Sequence, residues 1–406
     1  MSVLVVLEQA FLRGIDGHIY TPWPTNYTFW RRYLGVLDEV VVLARVRQTT
    51  DQMSPEQRAD GSCVTFWPIP DYAGAKQYVT KLGLLRSAIR EAVSRSDAYI
   101  LRLPCVVGDL AVSEVRRLGK GYAVEVVGDP WDALSPGTTR TPLRPVYRRL
   151  LTRSLRRSCH QATAVSYVTR SALQARYPAR AGAYVCGISD VLLGDNFADD
   201  ALIENRKQRA KEIAERPRRP AILGFIGRLA ASCKGADTLL KAVRLCLHGD
   251  VHVEAHFLGD GKSRPRFEAM ARNLGISKHV HFRGHVPAGK AVFDFLDSID
   301  VFVMPSRQEG LPRAMVEAMA RGCPCIGSAV GSIPELLAPE ALVPPSDEWQ
   351  LSEAIRRLVS DSDLSLRMIR HNLDVAQTFR SQALAEAQRC FLTEVRARSV
   401  APAQHL

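Results

Sequence analysis

The 406-residue chain lacks any run of eighteen apolar residues, which excludes a membrane-spanning helix on hydrophobicity alone. Its nine cysteines are odd in number and include no C-x-x-C pair, which argues against a disulfide framework or a cysteine zinc site and fits a reducing cytoplasm. There is no internal repeat and no low-complexity tract. The first apolar run, Val3 to Leu7, has no basic leader and ends at Glu8, so it reads as a first strand and not as a signal peptide. Most unusually, no Asp or Glu occurs from Ala133 through Ser189, while Arg140, Arg144, Arg148, Arg149, Arg153, Arg156, Arg157, Arg170, Arg176 and Arg180 all fall there. One face is therefore basic, and the net charge is +12. A basic nucleic-acid binder is a remote alternative, but Tyr147, Tyr167 and Tyr177 are the only aromatic residues among these arginines, and no nucleic-acid partner is expected.

What is present is ordinary for a globular protein: 46% hydrophobic and 24% charged residues, in a chain too long for one core. Apolar runs at Val3 to Leu7, Val40 to Leu43, Tyr99 to Leu103, Ala123 to Val127 and Ala162 to Val165 alternate with helix-like segments. A charged, proline-containing stretch from Asp195 to Pro220 reads as a junction. A second series then follows at Ile222 to Ile226, His252 to Leu258, His279 to Phe282, Val301 to Met304, Cys325 to Gly327 and Leu342 to Val343. The expected fold is α/β, with two Rossmann-like doubly wound domains facing an interdomain cleft. The N-terminal domain is expected over 1–195, joined by a crossing C-terminal helix at about 378–406, and the second over 196–377.

The segment from Asp300 to Gly322 carries the most chemistry. Val301 to Met304 suits a strand buried on both faces; Pro305 and Gly310 break it, and a helix follows Pro312 with Gly322 able to cap it. At the carboxyl edge of a parallel sheet, helix N-termini offer N–H groups to an anion, yet Glu309 and Glu317 would repel a bare one. A sugar nucleotide satisfies both, because carboxylates accept from hydroxyls while amides hold phosphate. The alternative leaves Glu309 as a loop charge and pairs Glu317 with Arg321. Cys323 and Cys325 read as small packing residues.

Arg228 and Lys234, after Gly227 at the end of the Ile222 to Ile226 run, could neutralise a leaving diphosphate in place of a metal ion; simple surface solvation is the alternative. The turns Gly259-Asp260-Gly261 and Gly284-His285-Val286 end the next two strands and could line a nucleotide, with a purely structural turn the alternative for Gly259 to Gly261. Asp361-Ser362-Asp363 matches a metal-holding D-x-D, but Asp363 reads as a helix N-cap and no metal is expected. On the acceptor side stand Gly14, Gly17 and His18 after the first strand, and Asp129 with Trp131 after the strand ending near Val127. The stretch Arg140 to Arg157 contains a basic amphipathic helix with Leu150, Leu151 and Leu155; contact with an anionic membrane and packing of those leucines on the domain core are both open.

The spacing Glu309 to Glu317 resembles the E-x7-E motif of retaining glycosyltransferases of family 4, and Met304-Pro-Ser and Cys323-Pro-Cys-Ile-Gly-Ser also fit. The likeness spans roughly residues 221 to 375. It implies a GT-B fold and a retaining, metal-independent hexosyltransferase with no cofactor beyond its nucleotide-sugar donor, a UDP-sugar first and a GDP-sugar second. By that resemblance Glu309 binds a hydroxyl of the donor sugar, Glu317 the ribose, the amides near Gly310 and Leu311 the sugar or phosphate, Arg228 and Lys234 the diphosphate, and Gly284 to Val286 the base. The Arg228 to Lys234 gap is one residue longer than the commonest family pattern. Paired glycines of relatives are here separated as Gly14 and Gly17, a common histidine is replaced by Gly128-Asp129, and Asn-Gly-Val-Asp by Cys186-Gly-Ile-Ser-Asp190. The acceptor class implied is a glycan, lipid-linked or small-molecule hydroxyl, and the place the cytoplasm, peripheral at the inner membrane face. A sugar-nucleotide epimerase of the same fold is the alternative function.

Overall fold

The computed structural model describes residues 1–134, 143–191, 193–194, 196–215, 219–230, 232–287 and 289–400. Arg140 lies outside them. The chain divides into a first unit of Met1–Trp131, Pro145–Ile188 and Ala385–Leu406, and a second of Asp132–Arg144 and Ser189–Leu384. The division thus falls at Ser189 and Ala385, where the sequence had suggested 196 and 378.

In the first unit the strands are β1 (Ser2–Arg13), β2 (Ile19–Tyr20), β3 (Glu39–Gln48), β4 (Val64–Ile69), β5 (Ala98–Leu103), β6 (Ala123–Val126), β7 (Ala164–Tyr167) and β8 (Tyr184–Gly187). They form one sheet in the order β4-β3-β1-β5-β6-β7-β8, all parallel, with the short β2 antiparallel to β1. Period-two alternation sends Val3 and Val5 into one layer with Val40, Val42 and Ile100, and Leu4 and Val6 into the other with Tyr99, Leu101, Leu85 and Ile89. Both faces are buried, which is why these strands read as continuous apolar runs. The final helix, Ser381–Val400, sets Phe391, Leu392 and Val395 into the layer of Val3 and Val5.

The second unit holds β9 (Ala221–Ile226), β10 (Val253–Leu258), β11 (Val280–Gly284), β12 (Val301–Met304), β13 (Cys325–Ser328) and β14 (Leu342–Val343). Their order is β11-β10-β9-β12-β13-β14, every pair parallel. Counting along the chain this is 3-2-1-4-5-6, the doubly wound arrangement, and the same sequence of crossovers opens the first sheet. Both units are Rossmann-like. Direction reverses between β9 and β12 in one sheet and between β1 and β5 in the other, and ligands of such sheets bind outside the carboxyl ends at that reversal.

Two local expectations are corrected. β1 does not stop at Leu7: a register shift between Val6 and Ala10 lets it run on beside β3 to Arg13. At 361–363 the helix Ser362–Gln377 is capped by Asp361, whose carboxylate accepts from the Leu364 N–H at 2.9 Å, while Asp363 sits in the first turn. Among the described residues no helix is long and apolar enough to cross a membrane.

Candidate functional site

The carboxyl edge of the second sheet is stitched loop to loop. The Gly227 N–H donates to Leu258 O at 3.0 Å, Leu229 N–H to Asp260 O at 3.0 Å, and Gly259 N–H to Gly284 O at 2.8 Å, so the turns after β9, β10 and β11 form one rim. Across the reversal the Arg307 N–H donates to Cys233 O at 2.7 Å. A side chain on Gly235 would place its Cβ 1.9 Å from Pro305 O, and one on Gly331 1.9 Å from Glu309 O. Both glycines also have positive φ, so only glycine lets these three loops close on one another. Arg307 fixes the arrangement further with a two-pronged pair to Asp237, 2.8 Å at each nitrogen. Burial raises the Asp237 carboxyl, but the hydrogen bond and charge of Arg307 outweigh it, and the net shift is below the ordinary carboxylate value.

Into this frame the sequence places its charged residues. The Lys234 ammonium donates to Glu309 Oε1 at 2.7 Å, and Ser306 Oγ donates to the same oxygen at 2.7 Å. Glu309 is buried, with 7% of its surface exposed, yet its second oxygen accepts no hydrogen bond from the described residues. Glu317, 8% exposed, lies on the helix Arg313–Ala320 and accepts from Arg313 Nε at 2.8 Å. The pairing of Glu317 with Arg321 does not form: Arg321 instead grips Asp297 at 2.6 and 2.7 Å. Arg228 is exposed and has no ion-pair or hydrogen-bond partner among the described residues. Nor does any described acceptor take the N–H of Gly310 or Leu311, while Gly310 O is held by Ser332 Oγ at 2.6 Å. Among the described residues, amides and a cation without partners and half-used carboxylates therefore lie on the loops and the helix that follow β9 and β12. Gly284 belongs to the rim through its carbonyl; His285 is exposed and Val286 packs on the core. Cys323 and Cys325 are buried packing residues with thiols raised by burial.

The acceptor-side residues occupy different settings in the first unit. Gly14, Gly17 and His18 make the tight turn from β1 to β2, closed by Gly14 N–H to His18 O at 3.0 Å and Gly17 N–H to Gly14 O at 3.1 Å. His18 Nδ1 lies 3.0 Å from Asp60 Oδ2. Asp60, with Asn26, Tyr27 and Arg58, lines an open depression of about 470 Å³. Asp129 is buried and held by Arg176, by the Tyr177 hydroxyl and by the Trp131 N–H at 2.8 Å. Burial, then Asp129, pushes the Tyr177 phenol well up. Trp131 is partly exposed, with the Arg148 guanidinium 3.7 Å from its ring centre. On the basic helix Arg144–Gln161 only Leu155 of the three leucines is buried; Leu150 is 58% exposed, next to exposed Val146 and Tyr147.

Sequence reading missed two polar groupings at the first sheet's strand ends. Glu8 accepts from the Tyr72 hydroxyl and from the Val107 N–H at 3.3 Å, with Arg45 beside it. Buried Glu125 takes the Tyr33 hydroxyl at 2.9 and 3.0 Å and pairs with buried Arg102. Glu8 interrupting an apolar run was the available signal; Arg102 and Glu125 were visible only as charges inside such runs.

Comparison with known proteins adds the class. Residues 220–361 match the family model described as "Glycosyl transferases group 1". The chain is similar to Protein CapJ of Staphylococcus aureus, 27% identical over 82% of this chain and 81% of that protein. It is 31% identical to the D-inositol 3-phosphate glycosyltransferase of Corynebacterium jeikeium over 42% of this chain, spanning 43% of that relative's length. Among solved structures, Anabaena HepE in complex with UDP and glucose superposes with a TM-score of 0.62 at 16% identity, over 97% of this chain and 99% of that one. Together these support a glycosyltransferase of GT-B fold, and they do not favour an epimerase. Nothing in them indicates nucleic-acid binding.

Proposed function

We propose that the chain is a retaining glycosyltransferase of family 4 that moves a hexose from a nucleotide diphosphate sugar to an acceptor hydroxyl. The observation that carries this is the Lys234–Glu309 contact at the sheet reversal, with Arg228, which has no partner among the described residues, following β9, and Glu317 on the helix that follows β12. In the resting protein Lys234 balances a buried carboxylate; a bound donor would offer its phosphate to Lys234 and Arg228 and its sugar hydroxyls to Glu309. Glu317 would take the ribose, the Gly310 and Leu311 amides the sugar or phosphate, and the segment Gly284 to Val286 the base. As the glycosidic bond breaks, charge grows on the departing diphosphate, where the two cations are most effective. The leaving phosphate oxygen would accept the acceptor proton on the same face, so neither a protein nucleophile nor a metal is needed at the diphosphate. A UDP-sugar is the first choice of donor, since HepE is seen with UDP and glucose, and a GDP-sugar the second.

Acceptor recognition falls in this reading to the first unit, around His18, Asp60, Asp129 and Trp131. An acceptor presented at an anionic membrane is favoured by Val146, Tyr147 and Leu150, exposed among arginines. The test is a thermal-shift screen of UDP- and GDP-sugars, followed by donor consumption with and without chelator. Stabilisation by one donor class and chelator-resistant turnover are expected; no response to any nucleotide sugar would refute the proposal. Co-sedimentation with anionic vesicles, lost in Leu150→Asp, tests the membrane-facing acceptor.

A further inference from the structure

We propose that Glu254, His256 and His281 form a binding site for one divalent transition-metal ion, zinc foremost, that clamps the edge strand of the second sheet. Glu254 and His256 are two apart on β10 and so share a face; parallel pairing sets His256 directly beside His281 of β11. Glu254 Oε2 lies 3.6 Å from His256 Nε2 and 3.4 Å from His281 Nε2, and all three ligand atoms lie within 4.8 Å of one another. Zinc bonds of about 2.0–2.1 Å in a tetrahedron put neighbouring ligands roughly 3.3–3.4 Å apart, so two edges are already near their metal-bound length. A water would complete the fourth position. At 3.6 Å the His256–Glu254 contact is too long for a hydrogen bond, and His256 Nε2 is buried without a partner among the described residues. An orphaned imidazole nitrogen aimed at a carboxylate and a second imidazole is what a metal would satisfy.

Arg283 is the opposing group, with Nη2 3.5 Å from His256 Nδ1. Metal at Nε2 puts the proton on Nδ1, and a guanidinium cannot accept it. Arg283 is exposed and free to swing away. A glutamine at 283 could instead accept from Nδ1–H and orient the ligand. Among the described residues β11 is an edge strand paired only with β10, so the metal would add a cross-strand tie directly before the Gly284 to Val286 turn.

The experiment is calorimetric titration of the full chain with zinc chloride, repeated on Glu254→Gln, His281→Ala and Arg283→Gln. The two ligand positions are part-exposed, so these variants are expected to keep the fold, which thermal unfolding without metal checks. Expected are one zinc per chain, binding at least about tenfold weaker in the first two and tighter in the third. Cobalt bound at the same stoichiometry should show a spectrum without thiolate charge transfer, which separates this site from the free cysteines. Absence of stoichiometric binding, unchanged affinity in both ligand variants, or a thiolate signature would overturn the site; failure of Arg283→Gln to tighten binding would overturn Nε2 as the ligating atom.

Discussion

The two sheets begin with the same strand order, yet their carboxyl ends are finished in opposite ways. In the first unit the charged groups there satisfy one another: Glu125 with Tyr33 and Arg102, Asp129 with Arg176 and Tyr177, Glu8 with Tyr72 and Val107. In the second, Glu309 and Glu317 each keep an oxygen unused by the described residues, and exposed Arg228 pairs with none of them. A buried polar group left half-satisfied costs stability unless something else fills the vacancy, so the second edge is built for a ligand while the first is largely built for itself. The family match agrees in its extent, running from 220 to 361 and leaving the first unit aside.

That contrast can be broken in several places. The largest effect belongs to Arg102→Ala, which leaves buried Glu125 uncompensated; a loss of about 3–5 kcal/mol in denaturant unfolding is expected, and near-neutrality would show that the first edge is not self-supporting. In the second unit Arg228→Ala and Glu309→Gln should instead spare the fold and cut turnover by about 10²–10³-fold, as removal of a preorganised charge partner does. Comparable turnover in both variants would mean that the edge does not handle the donor.

The two units should also answer differently to pH. Burial, then Glu125, pushes the Tyr33 phenol up to about 12. A raised folded value means the contribution is complete below the ordinary 10.0 and is lost as pH climbs through about 12, worth about 2–3 kcal/mol to the first unit. Asp237 runs the other way. Its lowered value means a contribution present above 3.8 that fades as pH falls through the folded value, loosening the second unit in acid. Hydrogen exchange resolved by segment should show alkaline opening around Tyr33 and acid opening around Arg307, and Arg307→Ala should remove the acid limb at a cost of about 1–2 kcal/mol. The smallest effect is expected for Arg148→Ala, about 0.5–1 kcal/mol, from the cation over exposed Trp131. A smaller cost of Arg148→Ala in a Trp131→Ala background than in wild type would confirm the pair, and an equal cost in both would show that the two are not coupled.

Why some features were legible and others not follows from locality. β9 and β12 stand out because parallel strands buried on both faces are unbroken apolar runs bounded by glycine and proline. β4 did not stand out, because Pro68 demotes the run; the strand lies at the sheet edge, where a missing N–H is tolerated. β8, the other edge, is short and half-exposed. Glu309, Glu317, Arg228 and Lys234 were singled out by resemblance to a family motif, since spacing alone left loop charges and a helical ion pair open; that pair was also misassigned, because Arg313 and Arg321 are both one turn from Glu317 and Asp297 captures the second. The Glu254, His256 and His281 grouping could not be read at all, since it depends on register between strands 25 residues apart.

The central claim is that a nucleotide sugar is held by the strand ends of the second sheet. Calorimetry of UDP and GDP against wild type and Glu317→Gln tests it most directly, because one oxygen of that carboxylate takes no hydrogen bond from the described residues and is open to a ribose hydroxyl. The account predicts that one nucleotide binds wild type and binds the variant about tenfold or more weakly with the thermal midpoint little changed. Equal affinity in the two proteins, or no binding of either nucleotide, would contradict it.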